Sequence, residues 1–439
     1  MLAPAELYPV VVTWLQVLGV VPHAAGLASV SQVVTALLIG QSLRSAQLAR
    51  TMLSSPKVSA RQRYRRVRRI LTRARLSSAQ LTPWLVRAAL ALVRDPVPHL
   101  AMDTVRCGRW EVITVGVVWH GRILPVGWEV LPYPWPKGVF TPTVVRLLER
   151  IGDGWPAERR PHLVADRGFP SLTLFRALER LQWGWTIRLR AKLTVGVDGE
   201  ARALYDLVTA SQPGVWTCQP ITYGTGRQRV AGQLVIGRGD ALQVLPRHQA
   251  NPGSQFHRGL QQGARRREVR DKHPTRQTSV AAQTDGWVIL FTSHTTWLDA
   301  SRSYSRRWAT EGSYRDAQGG YDGQHGWDLE PTLTHETDPR GVDSLLGLWA
   351  LGSFLQTTLG DQVGRADAPP AIQDARTRWT TTGRLSVWMR GRFALTDPFG
   401  DVHPWLLTAL QDSARRLHLA LAPGPSSPTP LPDGLPLAA

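Results

Sequence analysis

The segment His162-Leu-Val-Ala-Asp-Arg-Gly-Phe169 combines an apolar run with a single acidic residue. Its apolar run, Leu163-Val-Ala165, predicts a short buried strand. Asp166 ends that run, and the Arg-Gly pair after it is typical of a turn. A carboxylate at the end of a buried strand is costly unless another group pairs with it. Asp166 is therefore a candidate functional residue.

Three segments upstream are rich in Val, Ile and Trp, and a His-Gly turn separates the last two, which predicts an antiparallel meander. The segments are His99–Arg106, Trp110–His120 and Arg122–Leu131. The elements predicted after them are a helix Phe140–Ile151, the strand His162–Ala165, a helix Ser171–Leu181 and a strand Trp185–Arg190. This order of strands and helices is that of a ribonuclease-H-like α/β core.

A second carboxylate lies in the first strand of the meander, in Ala101-Met-Asp103. In a ribonuclease-H-like order this strand neighbours the one that ends at Asp166, so the two carboxylates are expected to meet. A hard divalent cation such as Mg²⁺ relieves the repulsion between adjacent carboxylates. Two such ions can activate a water or a 3′-hydroxyl at a phosphorus centre. The alternative for either aspartate alone is a turn or cap residue.

The third acidic residue belongs to a predicted helix, Ser301–Gln318, which follows a predicted strand, Trp287–Thr292. Tyr304, Arg307 and Glu311 have the spacing i, i+3, i+7 and fall on one helix face. Such a face suits a phosphate, a base and a metal, and Tyr314, Arg315 and Gln318 continue it. The alternative is a solvated helix with a local ion pair. Competitors for the third ligand are Asp316, Asp328 and Glu330.

The positive charge is concentrated near the N-terminus. The chain of 439 residues has 52 Lys and Arg against 33 Asp and Glu, a net charge of +19. No acidic residue occurs between Leu7 and Arg94, whereas thirteen Lys and Arg do. This asymmetry indicates a nucleic-acid-binding segment, and the alternative is a solvated basic face.

The most basic part of that segment has helical periodicity, with Ser59 as its predicted N-cap. Tyr64, Val67, Ile70 and Leu71 form the apolar face. The solvated face, which would meet phosphates without reading sequence, carries Arg61, Arg65, Arg68, Arg69 and Arg73. Further helices are predicted at Ser31–Gly40, Ser45–Leu53 and Ser77–Val93.

Cysteine content and hydropathy limit the class of protein. Cys107 and Cys218 are too few for a disulfide framework or a Cys-rich zinc site, which favours a reducing compartment. The apolar stretch Val10–Val21 is too short to cross a bilayer and lacks the flanks of a signal peptide. We therefore expect a cytoplasmic protein with no membrane partner.

The pattern Tyr304-x2-Arg307-Trp308-x2-Glu311, together with Asp-Arg-Gly-Phe around Asp166, resembles the IS4 superfamily of DDE transposases of bacterial insertion sequences. The resemblance covers about residues 95–360. It implies a ribonuclease-H-like fold with a β-strand insertion, and an N-terminal helical domain that binds the transposon end. It also implies cut-and-paste transposition of double-stranded DNA by a homodimer that pairs two element ends.

The resemblance also assigns roles to individual residues. Asp103, Asp166 and Glu311 would bind Mg²⁺, or Mn²⁺ in its place, and carry out catalysis. Tyr304 and Arg307 would contact the phosphate beside a flipped base. Trp287 would stack on that base, although a core tryptophan is an equal alternative. The family has Lys where this chain has Gln318, and Arg315 could take over the phosphate contact.

The predicted organisation has six parts. They are a basic DNA-binding helical domain (1–95), the first part of the core (96–193), a β insertion with a basic stretch Arg258–Arg276 (194–285), the second part of the core with the Glu helix (286–330), a helical region (331–420) and a Pro-rich tail (421–439). Two other functions stay open: an inactive or domesticated transposase acting as a sequence-specific DNA-binding protein, and a structure-specific nuclease of the same fold.

Overall fold

The computed structural model describes residues 2–19, 23–55, 57–73, 76–224, 228–238, 287–318, 326–365, 368–379, 386–396 and 403–421. The chain divides into two compact units. The helical unit comprises Met1–Arg94, Gly326–Thr332 and Arg340–Ala439, and the sheet unit comprises Asp95–His325 and Leu333–Pro339. The N-terminal and C-terminal helical regions, which the sequence predicts as separate domains, thus fall in one unit.

The helical unit is built from amphipathic and apolar helices. They are Pro4–Leu18, Ala24–Gly40, Ser45–Thr51, Ala60–Arg73, Ser78–Leu92, Pro339–Gly364, Pro370–Trp379, Val387–Thr396 and His403–Leu421. A further helix, Leu329–His335, spans the boundary between the units in sequence. The predicted helices are confirmed, but the one predicted at Ser31–Gly40 begins seven residues earlier, at Ala24.

We call Ala60–Arg73 the basic helix. It begins with reciprocal hydrogen bonds: Gln62 N–H donates to Ser59 Oγ at 3.3 Å, and Ser59 N–H donates to Gln62 Oε1 at 2.8 Å. This arrangement satisfies two otherwise unpaired backbone donors and confirms the predicted cap. Val67 and Leu71 are fully buried, but Tyr64 is 44% exposed, so its predicted place on the packed face was wrong.

The arginines of the basic helix differ in exposure. Arg61, Arg65 and Arg69 are exposed, whereas Arg68 is half-buried. The fifth predicted contact residue, Arg73, ends the helix, and its side chain lies outside the described part of the structure. Three of the predicted arginines therefore present cationic groups to solvent from one helix.

The sheet unit contains a mixed, mostly antiparallel sheet of ten strands. The strands are β1 His99–Cys107, β2 Trp110–Trp119, β3 Arg122–Pro132, β4 His162–Ala165, β5 Gly184–Arg188, β6 Thr194–Val197, β7 Glu200–Ala203, β8 Thr217–Tyr223, β9 Val230–Arg238 and β10 Trp287–Thr292. Their order across the sheet is β3-β2-β1-β4-β5-β10-β9-β8-β6-β7. Only β1–β4 and β4–β5 pair in parallel within the described sheet.

The parallel register of β1 and β4 decides where the two aspartates lie. Met102 pairs with Ala165, and each is followed by an aspartate. Because neighbouring strands are about 4.8 Å apart, the backbones of Asp103 and Asp166 lie side by side. The register confirms that the two strands are neighbours, and the predicted meeting of the two carboxylates stays a prediction.

The strands predicted as an inserted β subdomain extend the same sheet. β9 pairs antiparallel with β10, and β8 and β6 continue outward from it. Hydrogen bonding across β9 and β10 therefore makes the insertion part of one continuous sheet. The basic stretch Arg258–Arg276 and the remainder of 239–286 lie outside the described residues.

The long helix predicted at Ser301–Gln318 is two helices, Trp297–Ser305 and Trp308–Gln318. Between them, Arg307 N–H donates to Tyr304 O at 3.0 Å and Thr310 N–H donates to Arg307 O at 3.0 Å. These i to i+3 bonds tighten the turn as in a 3₁₀-helix. The prediction of one continuous helix was wrong. Arg307 nevertheless lies beside Glu311, as their spacing predicts.

Two other helices of the sheet unit are Phe140–Asp153, which packs against β3, and Leu172–Leu181, which packs against that helix. Ser171 caps the second of them by accepting from the Leu174 N–H. In the described part of the chain no single helix is long and apolar enough to cross a membrane, although the bent pair Ala24–Gly40 and Ser45–Thr51 passes that test together.

Candidate active site

Asp103 is held by three hydrogen-bond donors at the middle of β1. Its Oδ2 accepts from Thr310 Oγ1 at 3.1 Å and from Arg307 Nη1 at 3.4 Å, and its Oδ1 accepts from the Thr104 N–H at 2.9 Å. The side chain is 18% exposed. Burial raises the pKa of Asp103, and the Arg307 guanidinium opposes that rise. The donors therefore offset part of the cost of a buried carboxylate.

Arg307 bridges Asp103 to Glu311. Its Nη2 donates to Glu311 Oε1 at 2.8 Å, and its side chain is only 6% exposed, whereas that of Glu311 is 38% exposed. The guanidinium also lies 4.5 Å from the ring centre of Trp308. One buried cation thus serves two carboxylates, which is the favourable way to bury an ion pair.

The charge state of Arg307 follows from these neighbours. Burial tends to lower the pKa of Arg307, but Tyr304 and Glu311 beside it raise that pKa above its ordinary value. The guanidinium therefore stays charged. Its Nε is buried and has no hydrogen-bond partner among the described residues, so one donor of this side chain is unsatisfied.

Asp166 is the third carboxylate, and Tyr304 holds it in place. The Tyr304 hydroxyl donates to Asp166 Oδ1 at 3.2 Å, and the tyrosine is 5% exposed. Burial, followed by the charge of Asp166, raises the pKa of Tyr304 to about 12. Tyr304 is therefore a neutral phenol near pH 7, which is the form that can donate to a carboxylate.

The turn between the two helices sends adjacent arginines to different partners. Arg306 Nη1 contacts Asp95 Oδ2 at 3.3 Å and His99 Nδ1 at 2.6 Å, while Arg307 contacts Asp103 and Glu311. A regular helix would separate consecutive side chains by about 100°. Of the two arginines, only Arg307 contacts Asp103 and Glu311.

The other predicted DNA contacts have surroundings of their own. Trp287 opens β10 and is 5% exposed, with the Arg238 guanidinium 5.9 Å from its ring centre. Arg315 and Gln318 are half-buried on the Trp308–Gln318 helix. Among the described residues, Trp287 and Gln318 have no hydrogen bond to Asp103, Asp166 or Glu311, and the predicted DNA contacts of all three residues stay predictions.

Two of the three competing acids, Asp316 and Asp328, have partners elsewhere. Asp316 is 1% exposed and forms an ion pair with Arg122 at 2.5 Å, so its carboxylate is already neutralised. Asp328 belongs to the helical unit, where its Oδ2 accepts from Ser42 Oγ at 2.7 Å. Glu330 belongs to the same unit. Glu311 is the acid that Arg307 joins to Asp103.

Sequence reasoning missed Thr310 and Arg188. Thr310 lies one turn after Arg307 and donates to the same Asp103 oxygen. Arg188 ends β5, where it bonds to Tyr304 and donates to the Trp287 carbonyl at 3.2 Å. The sequence signal for Thr310 was its i+3 spacing from Arg307. A threonine at that spacing does not by itself indicate a functional residue.

The donor set fits a hard divalent cation in its chemistry, because all three acids offer carboxylate oxygens. The positions of these acids, however, do not form a metal-binding group. In the part of the chain that the structure describes, no three His, Cys, Asp or Glu side chains form a group that could hold a metal ion. The guanidinium of Arg307 bridges two of the three acids instead.

Comparison with known proteins yields no assignment. No family model matches this chain, and no curated protein matches it significantly.

Proposed function

We propose that this protein is a DDE transposase, an enzyme that binds the terminal inverted repeats of an insertion sequence and catalyses metal-dependent cleavage and transfer of DNA strands. The observation that carries the proposal is the arrangement around Arg307. This buried cation bonds to Asp103 and Glu311, while the Tyr304 hydroxyl bonds to Asp166 on the neighbouring strand. Three residues of the IS4-like pattern and the two aspartates thus form one network, which is joined by the hydrogen bond from the Arg307 N–H to the Tyr304 carbonyl.

The strand order supports a ribonuclease-H-like core as the finer description of the fold. The order β3-β2-β1-β4-β5, with an antiparallel meander and two parallel additions, is the arrangement that such a core requires. The strands of the insertion and β10 are then an extension of that core. The Trp308–Gln318 helix brings the third acid to it.

Asp103, Asp166 and Glu311 would bind the metal. When bound, Mg²⁺ supplies charge stabilisation at the phosphorus centre and lowers the pKa of the attacking hydroxyl or water, and Mn²⁺ would serve in its place. Arg307 would exchange its carboxylate contacts for a DNA phosphate, because guanidinium matches phosphate geometry and its Nε still has no partner among the described residues. Tyr304 would keep Asp166 oriented through its hydroxyl.

The basic helix supports double-stranded DNA as the partner. Exposed arginines that meet phosphates give affinity that falls with salt concentration. Arg61, Arg65 and Arg69 offer such contacts on one exposed helix. Pairing of two element ends would need two copies of the chain, so the proposal includes a homodimer bound to DNA.

The test is an end-cleavage assay. Its substrate is taken from genomic DNA that flanks the gene, where a mobile element should show short inverted repeats bounded by direct duplications. Asp103→Asn, Asp166→Asn and Glu311→Gln should each lower Mg²⁺-dependent cleavage by roughly a thousandfold, since each removes charge stabilisation of several kcal/mol. Glu200→Gln is the matched control, because Glu200 lies on β7 with a side chain that is 72% exposed.

Three results would contradict the proposal. Equal cleavage by wild type and the three variants would refute the catalytic assignment. DNA binding without any cleavage by wild type would favour an inactive transposase that acts as a DNA-binding protein. Cleavage of junctions with no preference for the inverted repeats would favour a structure-specific nuclease of the same fold.

A further inference from the structure

A row of aromatic rings follows the end of β3. The segment from Pro132 reads Pro-Tyr-Pro-Trp-Pro-Lys-Gly-Val-Phe140. The ring centres of Tyr133 and Trp135 are 5.5 Å apart, Trp135 stacks on Phe140 at 5.2 Å, and Phe140 lies 5.7 Å from Phe169. We call these four rings the aromatic row.

The aromatic row reaches the candidate active site through its last member. Phe169 is in the turn after β4, and its N–H donates to the backbone carbonyl of Asp166 at 3.2 Å. β3 and β1 are both antiparallel to β2, and β1 is parallel to β4. The ends of β3 and β4 therefore lie at the same edge of the sheet, where Asp166 also lies.

The outer rings are not core residues. Tyr133 and Trp135 are half-buried, whereas Phe169 is 5% exposed. The residues that alternate with them, Pro134 and Pro136, are exposed. Proline restricts the backbone between the rings, so this segment loses little conformational entropy when a ligand binds.

The charge around the aromatic row is positive. No acidic residue occurs from Val130 to Leu148. The Arg106 guanidinium lies 3.7 Å from the ring centre of Tyr133, and Lys137 and Arg167 are exposed nearby in sequence. A surface of contacting rings, of which Trp135 and Phe140 are stacked, fits a chain of flat bases joined by phosphates when cations border it.

From this geometry we infer that Tyr133 and Trp135 form a stacking platform for unpaired bases of the DNA strand that passes Asp166. The inference rests on the proposed function and extends it. It assigns single-stranded DNA to a surface distinct from the Trp287 region, where the tryptophan is almost fully buried. The platform would hold bases that lose their partners when the duplex opens beside the cleaved bond.

The experiment measures binding alone, in EDTA, so that no cleavage occurs. The full-length protein is titrated into a fluorescent thymidine homopolymer and, separately, into a blunt duplex. Trp135→Ala should weaken binding of the homopolymer by about tenfold and leave duplex affinity unchanged. Trp135→Phe should restore most of the lost affinity because a ring remains. A homopolymer that carries 2-aminopurine should be quenched by wild type and not by Trp135→Ala.

Trp119→Ala is the matched control, since Trp119 is a half-buried tryptophan at the β2–β3 hairpin, and it should not change either affinity. Thermal unfolding of each variant shows whether it is folded. If wild type binds neither DNA, the proposed function fails. If duplex binding persists but Trp135→Ala binds the homopolymer as wild type does, the platform is refuted and a protein partner for these rings is favoured. Tighter binding of a uridine homopolymer would overturn DNA in favour of RNA.

Discussion

The two ends of the β1–β4 pair solve the problem of buried polar groups in opposite ways. Toward their carboxyl ends, Asp103 and Asp166 are carboxylates supported by Arg307 and Tyr304. At their amino ends the paired residues are His99 and His162. One end retains charge by surrounding it with donors, whereas the other end stays neutral because burial disfavours the protonated rings.

The amino-terminal end is a cluster of three histidines. The His162 and His294 rings stack at 4.2 Å, and His99 lies 5.4 Å from His162. Ser303 Oγ contacts His99 Nε2 at 3.1 Å and His294 Nε2 at 2.7 Å, and Thr186 Oγ1 contacts His162 Nε2 at 2.8 Å. Hydroxyl groups thus contact all three rings, with Arg306 also on His99, whereas a shared cation pairs with the carboxylates of Asp103 and Glu311.

Arg307→Met should have the largest effect on this balance. It removes the cation and leaves the carboxylate of Asp103 buried and unpaired, so the free energy of unfolding at pH 7 should fall by about 3 kcal/mol. The loss should shrink at pH 4 as Asp103, whose pKa is raised by burial, becomes protonated. Urea unfolding at both pH values measures it, and Arg302→Met, on an exposed neighbouring arginine, is the control. An equal decrease in the free energy of unfolding at both pH values would show that lost packing rather than lost charge is responsible.

The histidine cluster should make stability depend on pH in the window between about pH 6.5 and pH 4. Burial, and then the charge of Arg306, lowers the pKa of His99 to about 4, and burial also lowers the pKa of His162 and His294. Below about pH 6.5 the unfolded chain binds protons that the folded chain does not. The stabilisation is therefore complete above that pH and is lost as the pH falls toward 4.

Thermal or urea unfolding between pH 7 and pH 4.5 checks this expectation. The decrease attributable to His99 should be about 2 kcal/mol, since one pKa unit corresponds to about 1.36 kcal/mol. His99→Asn should flatten the profile, whereas His120→Asn, which changes an exposed histidine, should leave it unchanged. An identical slope in wild type and His99→Asn would contradict the assignment.

Tyr304→Phe should have a smaller effect at the carboxyl end. It removes the 3.2 Å bond to Asp166 and should lower the free energy of unfolding by about 1.5 kcal/mol, as for a hydrogen bond to a charged group. Tyr205→Phe provides the control, because it removes the hydroxyl of a half-buried tyrosine on the Leu204–Thr209 helix. Equal losses in the two variants would mean that the Asp166 contact contributes nothing specific.

Local patterns predicted the strands and helices that position the site. The strands His162–Ala165 and Trp287–Thr292 are confirmed with their bounds, because each is a short apolar run bounded by polar residues. The break at Arg306 was missed, since tyrosine, arginine and glutamate at i, i+3 and i+7 satisfy a straight helix as well as two helices joined by a tight turn. Side-chain contacts of Arg306 and Arg307 accompany the turn, and such contacts leave no local periodicity.

Long-range pairing was the other part that the sequence could not provide. The pairing of β9 with β10 joins segments separated by residues 239–286, and nothing in either strand specifies its neighbour. The histidine cluster was missed for the same reason. His99, His162 and His294 are far apart in sequence, and each one alone is an ordinary strand-end residue.

The turn at Arg306-Arg307 also determines which changes in chain length this molecule can tolerate. Insertion of one residue between Arg307 and Glu311 would rotate Glu311 by about 100° around the helix axis, away from its arginine. An insertion in the hairpin His120-Gly121 would move no member of the network. Insertions and deletions are therefore expected in the hairpin. They are not expected between Arg307 and Glu311, even where every amino acid of the network is retained.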